Sequence, residues 1–322
     1  MTRRAWWAFG FMSVVWGASY LLIKIAINGG VPAADIAWLR VALAAAVLVV
    51  PAWRAGTMSS LRGRWRWIVA YAVAEISIPF PLIAAGEVHV ASSLTAIIIA
   101  AVPLIVTVLS LRFDPSERPT PIRALGLAIG FTGVIALVGI DVAGNGAELL
   151  GAGAILVGAV GYAVGPMLVK LGMGGLDSRA VMGASLLVAA VLLAPFAAVD
   201  TPSRTPSAGA FAAVAALGIF CTAVAFVVYT VLIREAGTSR ATVITYVNPL
   251  VALGLGVTLL AERPGPSAIA GLLLILAGSW LSTGGARPPG LGSLRRRKES
   301  LAGAAPPPAE AAEVAAERVP RA

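Results

Sequence analysis

Ten apolar runs of similar length are set apart by short stretches rich in Gly, Pro, Asp and Arg. They cover residues 5–23, 35–53, 66–87, 91–112, 121–141, 149–171, 178–199, 209–233, 238–261 and 266–285. Each comes close to the ~20 residues with which a helix crosses ~30 Å of hydrocarbon, and the residues between the runs are turn formers. The pattern predicts an all-α membrane protein of ten transmembrane helices. The first run follows MTRR, is too long for a signal-peptide core and lacks a small-residue cleavage site, so it counts as a span.

The runs repeat. Pro103 and Pro249 lie 146 positions apart, as do Trp16 and Tyr162, Lys24 and Lys170, and Phe80 and Phe226. At an offset of 145, Glu117-Arg118-Pro119 meets Glu262-Arg263-Pro264, Pro121 meets Pro266, and Gly126, Leu127 and Gly133 meet Gly271, Leu272 and Gly278. Apolar composition produces chance Leu or Val matches, but not E-R-P and spaced glycines in register. The chain therefore divides into a first five-helix repeat over 1–141, a second over 149–285 and a tail over 286–322. Because each repeat has an odd number of spans, the second enters the bilayer from the opposite face, and the repeats are inverted.

Composition agrees with this reading: 59% of the 322 residues are apolar and 12% charged, against ~25% charged in soluble domains. The net charge of +9 is no nucleic-acid signal, because most of the arginines fall between apolar runs. With the N-terminus in the cytoplasm, thirteen Lys and Arg lie on that side before the tail is counted: residues 3, 4, 54, 62, 64, 66, 112, 118, 123, 170, 179, 234 and 240. Only Arg204 and Arg263 lie opposite, so both termini are expected inside a cell membrane. Trp6, Trp7, Trp65 and Trp67 then fall at the inner interface as anchoring aromatics. The tail is rich in Pro, Ala and Glu and cannot build a core, which predicts disorder. Its LRRRK run reads as a further anchor to anionic lipid or, alternatively, as a protein contact. One cysteine, Cys221, allows no disulfide framework or thiolate metal site.

W-G near the start with a lysine eight residues after the Trp, an Ala/Ser-rich fourth span leading to P-L, and E-R-x(8)-G-x(6)-G in each half together resemble the EamA-like family of drug/metabolite transporters. The resemblance covers roughly 5–285. It implies ten spans in two repeats and transport of amino acids, other metabolites or drugs, with no cofactor. Where the family commonly has L-G-E, this chain has Pro115-Ser116-Glu117 and Leu260-Ala261-Glu262.

Polar residues inside spans are the candidates for chemistry, since a charge at mid-bilayer costs ~2.5–3.5 kcal/mol on insertion scales. Glu75 lies nine residues into the third span, or ~13 Å deep at 1.5 Å per residue. It reads either as a structural carboxylate or as a site for a proton or a substrate amine. Lys24 and Arg40 lie ~6–8 Å from the outer ends of their spans, where they either snorkel to the headgroups or form a cationic pair at an outer mouth. Lys170 is the repeat counterpart of Lys24 at an inner mouth. Pro103 and Pro249 free the carbonyls of Ile99 and Thr245 and are hinge candidates. Thr245, Tyr246 and Asn248 beside the second kink form a binding wall or a satisfied interhelical hydrogen bond. Pro79, Pro81 and Pro166 make similar breaks, while the glycines of the fifth and tenth spans serve close packing. His89 reads as a solvated loop residue, with a proton relay as the alternative.

These features favour a secondary transporter of a small metabolite, amino-acid-like or a drug, exported by alternating access with protons as a possible coupling ion. The expected partners are the solute and the lipid bilayer, with the chain acting as monomer or homodimer. The alternative is a polytopic membrane enzyme acting on a lipid or isoprenoid substrate. That alternative would need clusters of Asp, His or Cys at loops or helix ends. The loop acids are instead scattered, and no D-D-x-x-D, H-E-x-x-H or nucleotide-binding glycine loop occurs.

Overall fold

The computed structural model describes residues 1–113, 120–142, 145–200, 202, 204–237, 241 and 243–283, with side chains at 140–142 excepted. The first E-R-P at 117–119, Pro115, Ser116, Asp114, Arg240, the Asp141 side chain and the tail lie outside the described residues. Met1–Gly284 makes one compact unit.

The apolar runs become α1 (Arg3–Asn28), α2 (Ala33–Arg54), α3 (Trp65–His89), α4 (Ser92–Phe113), α5 (Pro121–Gly139), α6 (Gly146–Gly172), α7 (Ser178–Val199), α8 (Ala208–Ala236), α9 (Ile244–Leu259) and α10 (Pro266–Ser282). The first eight are long and apolar enough to cross a membrane, the last two are shorter apolar helices, and the described residues contain no strand. Local signals set the ends. Thr2, Thr120, Asn145, Asp177 and Ser207 accept hydrogen bonds from first-turn amides, which the helix itself leaves unpaired. Pro121 and Pro266 begin α5 and α10, where a missing N–H costs nothing. Outside the spans, Asp177 is held below the usual carboxylate range, chiefly by the hydrogen bond from Arg179.

Packing follows the duplication. α1 lies on α8 as α6 lies on α3, α1 on α9 as α6 on α4, and α2 on α8 as α7 on α3, while α2–α7, α4–α9 and α5–α10 pair with their own counterparts. That set of pairs is what a pseudo-twofold axis requires of two inverted five-helix repeats. The matched aromatics confirm it at side-chain level. Trp16 meets Phe226 edge-on at 6.3 Å and 72°, and Tyr162 meets Phe80 edge-on at 6.4 Å and 77°.

Apolar burial gives little drive between helices in lipid, so small residues and close backbone approach carry the contacts. A Cβ at Gly278 would strike the Gly130 backbone, and one at Gly133 would come within 2.8 Å of Gly271 O, so α5 and α10 meet along glycine. Gly17, the glycine of W-G, admits α9: a Cβ there would lie 2.7 Å from Val251 and 3.0 Å from Asn248 O. Large apolar side chains such as Ile135, Leu150 and Val199 point outward, where lipid would surround them. Trp6, Trp7 and Trp65 are exposed, as anchors should be, but Trp67 is half-buried against Gly172 of α6.

Three π-helical segments occur among the described residues: Ala72–Ser77 in α3 and Ile219–Val224 in α8, at matching places, and Leu137–Val142 at the end of α5. No simple sequence pattern announces them. The two matched prolines behave differently. At Pro103 the span divides, with helix ending at Ile99 and restarting at Val102, whereas Pro249 lies inside an unbroken Ile244–Leu259 helix.

Candidate functional site

The interior holds a file of ionisable and aromatic side chains between the face that carries the N-terminus and the far face. At the N-terminal face a cavity of about 200 Å³ lies between α2, α3, α6, α7 and α8, with Tyr71, Val169, Met173, Met182, Phe226 and Tyr229 among its lining residues. Tyr71 and Tyr229 are both within electrostatic reach of Glu75.

Glu75 occupies the π-helical segment of α3. Its carboxyl lies against Gly165 of α6, where any Cβ would collide with it, and its Oε2 is sealed from solvent with no hydrogen-bond partner. The same stripe of α6 glycines admits the rest of α3: Gly161 faces Ala74 O and Pro79, and Gly151 faces Gly86 O. Tyr162 lies within electrostatic reach of Glu75, Arg40 and Glu87, which places it between the two ends of the file.

Arg40 does not snorkel. Its residue is 9% exposed, its guanidinium carbon sits 4.1 Å from the centre of the Phe80 ring, and Nε donates to Thr222 Oγ1 at 2.8 Å. Thr222 belongs to the π-helical segment of α8, and its hydroxyl donates to Leu217 O at 2.8 Å. The widened turn thus offers a hydroxyl to a cation from α2, and the ring adds a cation–π contact.

Lys24 is also held inside. Its Nζ donates to Glu87 O at 2.6 Å and to Val90 O at 3.0 Å, capping the far end of α3, where the last carbonyls lack intrahelical partners and a cation is favoured. Arg40 and Lys24 therefore bind different partners, Thr222 and the Phe80 ring for one and the end of α3 for the other. Glu87, between them, is fully buried, and neither carboxyl oxygen has a hydrogen-bond partner.

The far face is closed by a clasp. Glu262, in the loop between α9 and α10, accepts from Ser92 N and Ser92 Oγ at 2.8 Å each and from Ser93 N at 2.9 Å, so it caps α4 from the other repeat. Half-burial pushes this carboxyl up, but the combined hydrogen bonds from Ser93 and Ser92 outweigh that and leave it below the usual range. Arg204 bonds Asn28 O, and Ser207 N donates to Gly29 O at 2.9 Å, tying α8 to α1 on the same side.

The remaining candidates are more dispersed. Lys170 is exposed near the end of α6. Tyr246 pairs its hydroxyl with Thr283 at 3.3 Å, so it ties α9 to the end of α10. Thr245 is half-buried, and Asn248 has a buried Oδ1 without a partner beside the α1 contact at Gly17. His89 is exposed. Among the described residues no three His, Cys, Asp or Glu side chains are grouped to hold a metal ion.

The EamA-like transporter family matches the chain twice, over 5–139 and 149–284. The chain belongs to the EamA-like transporter family. Two family copies also account for the paired helices and the paired aromatics. Among relatives, the transporter is 30% identical over 261 residues to an Escherichia coli K12 protein named as an uncharacterized inner membrane transporter, YedA, covering 77% of this chain and 80% of that one. It is 24% identical to an uncharacterized transporter of Archaeoglobus fulgidus, over 86% of this chain and 98% of that one. It is 32% identical to the protein PagO of Salmonella typhimurium over 41% and 42% of the two chains. A solved crystal structure shares the fold at a TM-score of 0.63 with 22% identity, covering 88% of this chain and 97% of that one. This is a multi-pass membrane transporter.

Sequence reasoning about the EamA-like chain missed one member of the interior file, Glu87, and the role of Glu262 in the clasp. Glu87 falls at the boundary drawn for the third span, where a carboxylate looks interfacial, and only contacts distant in sequence bury it. Glu262 was visible as half of the repeated E-R-P, but its partners are 169 and 170 residues away. A serine pair at 92–93 opening an apolar run is the signal that an amide-rich helix start awaits an acceptor.

Proposed function

We propose that the protein is a secondary transporter of the inner membrane that exports a small metabolite, an amino-acid-like solute or a drug, by alternating access between its two repeats. The observation that carries this reading is the interior file itself. Glu75, Arg40 and Glu87 lie between a cavity at one face and a clasp at the other, at contacts between helices of opposite repeats. A carboxylate and a guanidinium inside a bilayer are costly and are kept where they meet a solute or a proton. The relative named as an inner membrane transporter supports the location, and the excess of Lys and Arg on the N-terminal side supports cytoplasmic termini.

In that orientation the cavity opens to the cytoplasm and the Glu262 clasp closes the outside. Solute enters past Tyr71 and Tyr229, offers an amine to Glu75 and a carboxylate or other electron-rich group to Arg40, and leaves once Glu262 releases Ser92 and Ser93. Glu75 exchanges a proton against the solute, which links export to the pH gradient. The division of α4 at Ala100–Ala101, ahead of Pro103, supplies a place for the span to bend.

The test is a growth screen of cells with and without the protein against toxic amino acids and their analogues. Protection by the protein, with a matching fall in cell-associated compound, supports export. Unchanged sensitivity across the panel, with the protein present in the membrane, refutes this substrate class.

A further inference from the structure

Glu87 is the buried charge-bearing group for which the transport path gives no stated use. It lies two residues before the end of α3, is 0% exposed, and offers both carboxyl oxygens to no donor. An ionised carboxylate without hydrogen bonds in such a place costs several kcal/mol. Either a cation must reach it or a proton must neutralise it.

The surroundings decide between these. Within electrostatic reach of it lie Tyr20 and Lys24 of α1, Arg40 of α2, Tyr162 of α6 and Glu262 of the α9–α10 loop. α6 also presents Ile155 and Gly151 to the neighbouring Gly86, and α4 begins with Ser92 and Ser93 already bound to Glu262. On its own helix His89 is exposed. Each cation is engaged elsewhere: Lys24 Nζ on the carbonyls of Glu87 and Val90, and Arg40 on Thr222 and the Phe80 ring. Among the described residues Glu87 forms no ion pair, although Lys24 binds the carbonyl of that very residue.

We propose that Glu87 is a proton-binding site, neutral in this closed-far-face conformation, which yields its proton to the far side when that face opens and then takes Lys24 as its counter-ion. The proton passes from the Glu87 carboxyl to water. The electron pair stays on the carboxylate, and the ammonium already at its backbone carbonyl balances the new charge. The opening step rests on the alternating-access reading, but the neutral state does not. The site also differs from Glu75, which sits in the π-helical segment beside Gly165, four residues after the cavity-lining Tyr71.

The experiment is infrared spectroscopy of the purified full chain in lipid nanodiscs, read at the carbonyl band of a protonated carboxyl across a pH titration. The parent shows the band at neutral pH, Glu87→Gln loses the Glu87 part of it, and Glu75→Gln retains that part. Identical spectra for the parent and Glu87→Gln overturn the proposal. If Glu87→Gln does not fold, the Glu75→Gln protein decides alone: persistence of the band at neutral pH supports the proposal, and its absence overturns it. Lys24→Gln should raise the pH at which the band disappears by about 1–3 units, because an opposite charge at close range favours the ionised form by that much. An unchanged midpoint overturns the assignment of Lys24 as counter-ion. None of these readings depends on knowing the solute, so a failed export screen leaves them interpretable.

Discussion

The two repeats keep the same frame and differ in their chemistry. Trp16–Phe226 and Tyr162–Phe80 are near copies of one contact, and helix pairs recur throughout. At the same offset of 146, however, Arg40 meets Leu186, Glu75 meets Cys221 and Glu87 meets Ile233, with only Lys24 keeping a lysine as its counterpart. Lys24 is drawn inside onto two carbonyls, whereas Lys170 is exposed. Packing in lipid depends on shape and small residues, which a pseudo-twofold preserves. The interior charges Arg40, Glu75 and Glu87 all come from the first repeat, while the second sets the Thr222 hydroxyl, Tyr162 and Tyr229 beside them.

That contrast can be broken most severely in the shared frame. Gly278→Val drives a side chain into the Gly130 backbone and to within 2.5 Å of Gly126 O. Overpacking of this kind costs about 1–3 kcal/mol or more, and here rigid backbone blocks relaxation. Size-exclusion chromatography should show loss of monodisperse protein. A variant as stable as the parent would mean that α5 and α10 do not rely on glycine.

The next change gives the first repeat the residue of the second. Arg40→Leu removes the Thr222 hydrogen bond and the contact with Phe80 while keeping an apolar side chain that position 186 accommodates. A hydrogen bond from a charged group is worth about 1.5–3 kcal/mol, so flux of a solute held by Arg40 should fall roughly tenfold or more at normal membrane abundance. Full flux in liposomes would place the solute elsewhere.

A smaller effect is expected at the clasp. Glu262→Gln retains one acceptor oxygen and should lower stability by about 1–3 kcal/mol at neutral pH, read as a lower Tm. The folded Glu262 carboxyl lies below its ordinary value, so its contribution is fully present above the unfolded value, near pH ~4.3, and is lost as pH falls through the folded value. The Tm gap between parent and variant should therefore close below that pH. A gap independent of pH would show that the carboxylate charge is immaterial to the clasp.

Much of this was legible in the sequence because membrane folds are written in local terms. Run lengths, the matched Trp16, Tyr162, Phe80 and Phe226, and the glycines of α5 and α10 each report a constraint within one helix or one repeat. Arg40 shows where that logic ends. Its distance from the helix end suggested snorkelling, but a hydroxyl 182 residues away holds it inside. The π-helical segments, the break before Pro103 and the burial of Glu87 likewise arise from contacts between spans rather than from residue type. Glu75 stood out because nothing near it in sequence could account for a mid-span carboxylate.

The account stands on Glu75 coupling solute movement to protons. The direct measurement places the purified protein in liposomes with a trapped pH indicator, adds the solute identified by the growth screen, and compares the parent with Glu75→Gln, which keeps the shape and loses the titration. The parent should move protons when solute is added, and the variant should not, at equal incorporation. Equal proton movement by both would make Glu75 a structural carboxylate and contradict the account.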